Sequence, residues 1–168
     1  MIGSSSTKLP KDKRPMKKYK HSTEREKALK AFQRARRLQE TNALGYGRCY
    51  TCGLEIHISQ ADGGHGIPRN HVATELEPSN CHLQCQMCNR VMYGRQKTFM
   101  EHVALDYGYE EVERLENMDR AYNGSEEAFL ALSEEDQKKV KTERTALYYH
   151  EQYLKWQKVC KEWERKNG

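Results

Sequence analysis

Cys49-Tyr-Thr-Cys52 and Cys85-Gln-Met-Cys88 form two C-x2-C pairs with 32 residues between them. Each pair presents two thiolates from one tight turn, and two such turns close a tetrahedral site with no open position, which is how structural zinc is held. One zinc ion per chain is therefore expected. Cys81 adds an alternative pair with Cys85, but the two knuckles supply four ligands without it, so Cys81 reads as a small buried residue or spectator. Between the knuckles lies Asp62-Gly-Gly-His65, and Asn89 follows Cys88 directly. If Cys85 to Cys88 opens a helix, Asn89 sits on its first turn, and a carboxylate, an imidazole and an amide converge beside a metal-fixed corner.

Those residues need elements to hold them. From Ser22 to Glu40 the chain reads as an amphipathic helix: Ser22 or Thr23 caps it, and Leu29, Phe32, Ala35 and Leu38 recur every third residue. Its outer face carries Lys27, Lys30, Arg34 and Arg37. Residues 49–90 hold five of the six cysteines, with β-compatible pieces around Leu54 to Ile58 and His71 to Leu76. A helix is predicted from Cys88 to Tyr107, closed by Gly108, and a second over Tyr109 to Met118. Asn123-Gly124 reads as a turn, Ser125 starts a short helix, and Ser133 with Asp136 starts the last element. That element is predicted to run unbroken from Glu134 to about Lys166. Ala146, Tyr149, Tyr153, Trp156, Cys160 and Trp163 form a seam along it at spacings of three and four. The seam packs on its own domain or on a second copy.

The chain has 168 residues, 36% hydrophobic and 32% charged, with a mean hydropathy of −1.03. It lacks a run of the ~18 apolar residues that a membrane helix needs. It also lacks the apolar stretch of a signal peptide. A soluble cytoplasmic protein with no membrane partner is expected, and its cysteines are expected to stay reduced. Residues 1–40 carry 13 Lys+Arg against 4 Asp+Glu, residues 41–100 carry 5 against 4, and residues 101–168 carry 11 against 16. Residues 1–21 read as a disordered basic arm for a polyanion, or as a solvated tail. Residues 22–122 read as the zinc-containing domain, and 123–168 as a helical extension.

Taken together, Asp62-x-Gly64-His65, Asn80-x-His82-x-Gln84-Cys85-x2-Cys88-Asn89, Cys49-x2-Cys52-Gly53 and Gly108-Tyr-Glu-Glu-Val-Glu-Arg-Leu115 resemble the phage NinG/Rap recombination nucleases. These belong to the His-Me finger, or HNH, class. The Asp-x2-His and Cys-x2-Cys-Asn combination is also similar to phage endonuclease VII, a resolvase of branched DNA. The resemblance implies an α+β fold, mostly α, with a small zinc-stapled ββα-metal core flanked by N-terminal and C-terminal helices. It implies that His65 is the general base, and that Asp62 and Asn89 are oxygen ligands of one catalytic Mg²⁺ or Mn²⁺. Asn80 would pin the loop or orient His65, and His82 would touch the phosphate or brace the zinc corner. Arg69, Arg90, Arg95 and Lys97 flank the site as candidate phosphate contacts, beside the helix face of Lys27, Lys30, Arg34 and Arg37.

Three positions depart from that pattern. Asn89 stands where many HNH enzymes carry His, Gly66 replaces a larger residue after the catalytic His, and Glu75 replaces a frequent basic residue. The expected activity is Mg²⁺-dependent cleavage of branched DNA such as Holliday junctions, by a homodimer that makes two symmetric cuts. The alternatives are a less selective nicking endonuclease of the same class and a zinc-stabilised DNA-binding module without catalysis.

Overall fold

A computed structural model describes residues 20–167, so the arm at 1–19 lies outside the described residues. Among the described residues the architecture is mostly helical α+β, with six α-helices around two small two-stranded sheets. Helix α1 (His21–Gln39) buries Ala28, Leu29, Ala31, Phe32, Ala35 and Leu38, the stripe its periodicity predicts. It begins one residue earlier than Ser22, with Lys20 at the N-cap and no side-chain cap. Strands β1 (Tyr46–Arg48) and β2 (Glu55–His57) form an antiparallel hairpin whose connection holds the first cysteine pair.

The second hairpin pairs β3 (Ala61–His65) with β4 (Cys81–Cys85), antiparallel, in the register Asp62↔Gln84, Gly63↔Leu83 and His65↔Cys81. It replaces the strand expected over His71 to Leu76. Those residues are a chain of tight turns, closed by the Thr74 N–H on the His71 carbonyl and the Glu77 N–H on the Thr74 carbonyl. Two glycines let β3 run between helices. A Cβ on Gly63 would lie 2.8 Å from Gln33 Cβ of α1, and one on Gly66, just past the strand, 2.5 Å from Met100 Sδ and 2.6 Å from Phe99 Cδ1. Gly66 is small because α2 fills the space a side chain would take.

After β4 the chain makes one helical turn (Met87–Val91) and then a left-handed step, with φ of 51° at Tyr93, 81° at Gly94 and 46° at Arg95. The helix expected from Cys88 to Tyr107 is thus split, and α2 spans only Gln96–Tyr107. Gly108, at φ 92°, separates α2 from α3 (Tyr109–Tyr122). The Ser125 and Ser133 hydroxyls cap α4 (Glu126–Leu130) and α5 (Glu134–Lys141) as their spacing predicts.

The long final helix is broken without Gly or Pro. The Thr142 hydroxyl turns back to the Lys138 carbonyl, and the Thr145 hydroxyl accepts the Tyr148 N–H to start α6 (Ala146–Asn167). Threonine side chains that bond the local backbone compete with helix continuation in this way.

Helix α6 packs along α1. Trp156 and Cys160 join Ala31, Phe32, Ala35, Leu38 and Cys81 in one buried cluster, with Tyr153 and Trp163 at its margin. The Phe32 and Trp156 rings meet edge to face with centroids 4.8 Å apart. The aromatic seam is therefore covered within the chain, and a second copy is not needed to bury it. Cys81 and Cys160 are core residues of this cluster. No helix among the described residues is long and apolar enough to cross a membrane.

Candidate functional site

The first cysteine knuckle is built by backbone hydrogen bonds. The Gly53 N–H returns to the Cys49 carbonyl, the Cys49 N–H reaches the Leu54 carbonyl, and Gly53 adopts φ 73°. The Tyr50 N–H donates to the Leu83 carbonyl and so docks this knuckle on β4, whose last residue, Cys85, opens the second. All four sulfurs lie within 4.8 Å of one another. The Cys52 and Cys85 sulfurs are 3.9 Å apart, close to the edge of about 3.8 Å that four Zn–S bonds of ~2.3 Å give a tetrahedron. The cluster can hold a zinc ion, and its all-sulfur donor set suits zinc over a hard cation.

Fixing Cys85 and Cys88 also fixes Asn89. Its Nδ2 donates to Asp62 Oδ2 at 3.0 Å across to β3. The Arg90 guanidinium forks onto the same carboxylate, Nε to Oδ2 and Nη2 to Oδ1, both at 2.7 Å. Partial burial raises the pKa of Asp62, but hydrogen bonds from Arg90 and Asn89 outweigh it and hold the carboxyl below its ordinary value.

His65 ends β3 and is almost fully enclosed. Its Nε2 lies 3.0 Å from the Glu75 carbonyl oxygen. A carbonyl only accepts, so Nε2 carries the proton and Nδ1 is left as the basic nitrogen. Burial pulls the imidazole pKa down to about 4, more than the Glu75 hydrogen bond raises it.

Asp62, His65 and Asn89 line one cleft of about 720 Å³, together with Lys30, Arg34, Arg37, Arg69 and Arg90. The candidate base, the two candidate oxygen ligands and five of the eight candidate DNA-contacting cations thus share one depression. Arg37 is also structural, because its Nη1 donates to the Ala61 carbonyl at 2.9 Å and ties α1 to β3. Lys30 and Arg34 pair with Glu26 and Glu164 at the surface, contacts weak enough for a phosphate to displace.

The other expected residues lie elsewhere. Asn80 is buried behind the site: its Oδ1 accepts the Ile67 N–H, and its Nδ2 donates to the Ile67 and Thr74 carbonyls. It pins the loop after β3, one of the two roles expected of it, and makes no hydrogen bond to His65. His82 is buried outside the cleft, stacked on Tyr50 at 3.8 Å with Nδ1 against Glu40 Oε1 at 2.7 Å. It does not line the cleft, where contact with a phosphate was expected of it. Lys27 pairs with Glu24. Lys97 borders a separate apolar depression between α2 and α3, and Arg95 lies in the left-handed step.

One functional residue was not legible in the sequence. Glu75, 1% exposed, offers its carbonyl to His65 and its carboxylate to two helices. Oε2 accepts from Arg25 of α1 (Nε 3.0 Å, Nη2 2.5 Å), and Oε1 accepts from the Tyr149 hydroxyl of α6 at 2.6 Å. In the sequence it stands out only as an acidic residue at a position that is frequently basic; its three partners are 10, 50 and 74 residues away. A family model described as Bacteriophage Lambda NinG protein matches residues 5–146, whereas no curated protein and no solved structure matches the chain.

Proposed function

The chain belongs to the NinG family, which points to a phage recombination-related protein, and from that premise we propose that it is a metal-dependent endonuclease of branched DNA. The observation that carries this reading is the convergence of Asp62, His65 and Asn89 in one cation-lined cleft. A DNA-binding module has no use for a buried neutral imidazole with a free basic nitrogen beside a carboxylate and an amide.

His65 takes the proton of the attacking water on Nδ1, and its Nε2–H on the Glu75 carbonyl keeps the ring in that tautomer. Its low pKa keeps it unprotonated at neutral pH. The donors suit a hard cation: the Asp62 carboxylate and the Asn89 side-chain amide oxygen would hold Mg²⁺ or Mn²⁺ once the amide exchanges its hydrogen bond to Asp62 for the metal. When bound there, Mg²⁺ or Mn²⁺ supplies charge stabilisation to the phosphorane and the leaving oxygen. Lys30, Arg34 and Arg69 hold flanking phosphates, a sequence-independent contact that weakens steeply with salt. Resolution of a four-way junction takes two cuts, so this reading includes a second copy, held by a surface other than the α1–α6 seam.

The test compares cleavage of a four-way junction, a linear duplex and a single strand, in Mg²⁺ or EDTA, by wild type and His65→Ala. Mg²⁺-dependent cutting of the junction that falls at least 100-fold in His65→Ala is expected. Equal cutting by His65→Ala overturns the mechanism, and equal cutting of all three substrates overturns the branch preference.

A further inference from the structure

The left-handed step at Tyr93–Arg95 sits on the rim of the cleft, and the Tyr93 ring takes no part in the contacts that set it. Tyr93 holds φ 51°, a conformation disfavoured for a residue with a bulky side chain, and its side chain gains nothing by burial because the residue is 86% exposed. The turn is nevertheless firmly set. The Arg95 N–H closes on the Met92 carbonyl at 3.0 Å, and buried Gln84, on β4, donates Nε2 to the Gly94 carbonyl at 2.9 Å. Gly94 lies beside β3, where a Cβ would meet the His65 carbonyl oxygen at an ordinary contact distance of 3.7 Å. The frame that carries the candidate base therefore also fixes where the tyrosine ring stands.

A strained, exposed aromatic ring has its return in a ligand, and the cleft says which kind. Tyr93 borders it with Lys30, Arg34, Arg69 and Arg90, which select a polyanion. The polyanion with flat apolar faces along its length is a nucleic acid, whose unpaired bases stack on exposed aromatic rings.

We propose that Tyr93 is a stacking platform for an unpaired DNA base beside the scissile strand, so that the cleft accepts DNA whose bases are open at a branch or gap. A continuous duplex keeps its bases stacked on each other and leaves the ring unused. The proposal rests on the nuclease reading for its substrate, but it is tested by binding alone.

The probe is a three-way junction with 2-aminopurine at the branch, in EDTA so that no strand is cut, with a continuous duplex as control. Wild type is expected to change the 2-aminopurine emission at the branch. Tyr93→Ala is expected to lose that change and to bind the junction about tenfold more weakly, with duplex affinity altered less than twofold. Tyr93→Trp should keep the signal. Tyr93→Gly should raise the thermal midpoint by relieving the left-handed strain while losing the signal, which separates the ring's role from any loss of fold. The same emission change in wild type and Tyr93→Ala overturns the platform, whereas the His65→Ala cleavage comparison decides the hydrolytic reading independently.

Discussion

At the scale of single residues, the protonation of His65 is the most exposed consequence of the geometry. Its folded pKa of about 4 lies below the ordinary value of ~6.5, so the unfolded chain binds a proton that the folded chain refuses between those two pH values. Stability must then fall as pH drops from about 6.5 to about 4, by on the order of 3 kcal/mol from this group, and level off below. An NMR titration of the imidazole should give a midpoint well under 6.5 and an Nε2–H tautomer at pH 7; a midpoint at 6.5 would mean that the ring is solvated. Arg90 gives a second test. Its fork on Asp62 sets a guanidinium against any cation for the same two oxygens. Arg90→Ala should tighten Mn²⁺ binding several-fold by electron paramagnetic resonance, while Asp62→Asn abolishes it. Unchanged affinity in Arg90→Ala would remove Asp62 from the set of ligands.

At the scale of elements, the candidate base depends on two side chains, one from α1 and one from α6, that do not line the cleft. Tyr149 of α6 and Arg25 of α1 hold the Glu75 carboxylate, and the Glu75 carbonyl holds His65. Tyr149→Phe leaves one oxygen of a buried carboxylate without its donor, at a cost of about 1–3 kcal/mol. It should also shift the His65 imidazole resonances, which simple loosening of α6 would not do selectively. Wild-type resonances in the variant would show that Glu75 keeps His65 in place without α6. The sequence revealed what obeys local rules: the buried stripe of α1, the serine caps of α4 and α5, Gly108 between α2 and α3, and the two cysteine knuckles. It concealed β3 and β4, because Asp62-Gly-Gly-His65 has low strand propensity and is extended only through pairing with Cys81–Cys85, whereas Val72 and Thr74 have strand propensity but lie in turns. The Thr142–Thr145 break was hidden for a related reason, since side chains that cap from outside a helix carry no Gly or Pro signal. Asp62, His65 and Asn89 were legible as a group because chemistry constrains their types. Glu75 was not, because its role is visible only once three distant segments meet.

At the scale of the molecule, a mean hydropathy of −1.03 is compatible with a fold because the interior of the described residues is divided among four small clusters, one of them built on the cysteine corner. One of those clusters consists of Cys49, Cys85 and Cys88 with Ile56, Ala61 and Leu83. Three apolar side chains bury too little area to order two hairpins alone, so a zinc ion held at this corner would supply folding free energy. The corner is also where β3 starts, where β4 ends and where Asn89 follows, so its loss is expected to disorder Asp62 and Asn89 together. The two metals of the proposed enzyme are thereby separable. Removing Mg²⁺ should stop cleavage with the thermal midpoint nearly unchanged, and restoring Mg²⁺ should recover it at once. Stripping zinc with a thiophilic chelator, or Cys85→Ser, should lower the midpoint by ten degrees or more, about 3 kcal/mol or more in a domain of this size. Cleavage should then not return with Mg²⁺ alone, because the ligands it needs are no longer held side by side. Zinc stoichiometry near one per chain by plasma emission, lost in Cys85→Ser, checks the loading directly. If chelated protein kept its midpoint and regained full cleavage on Mg²⁺ alone, the cysteine corner would be dispensable, and the link from zinc through Asn89 to the cleft would be wrong.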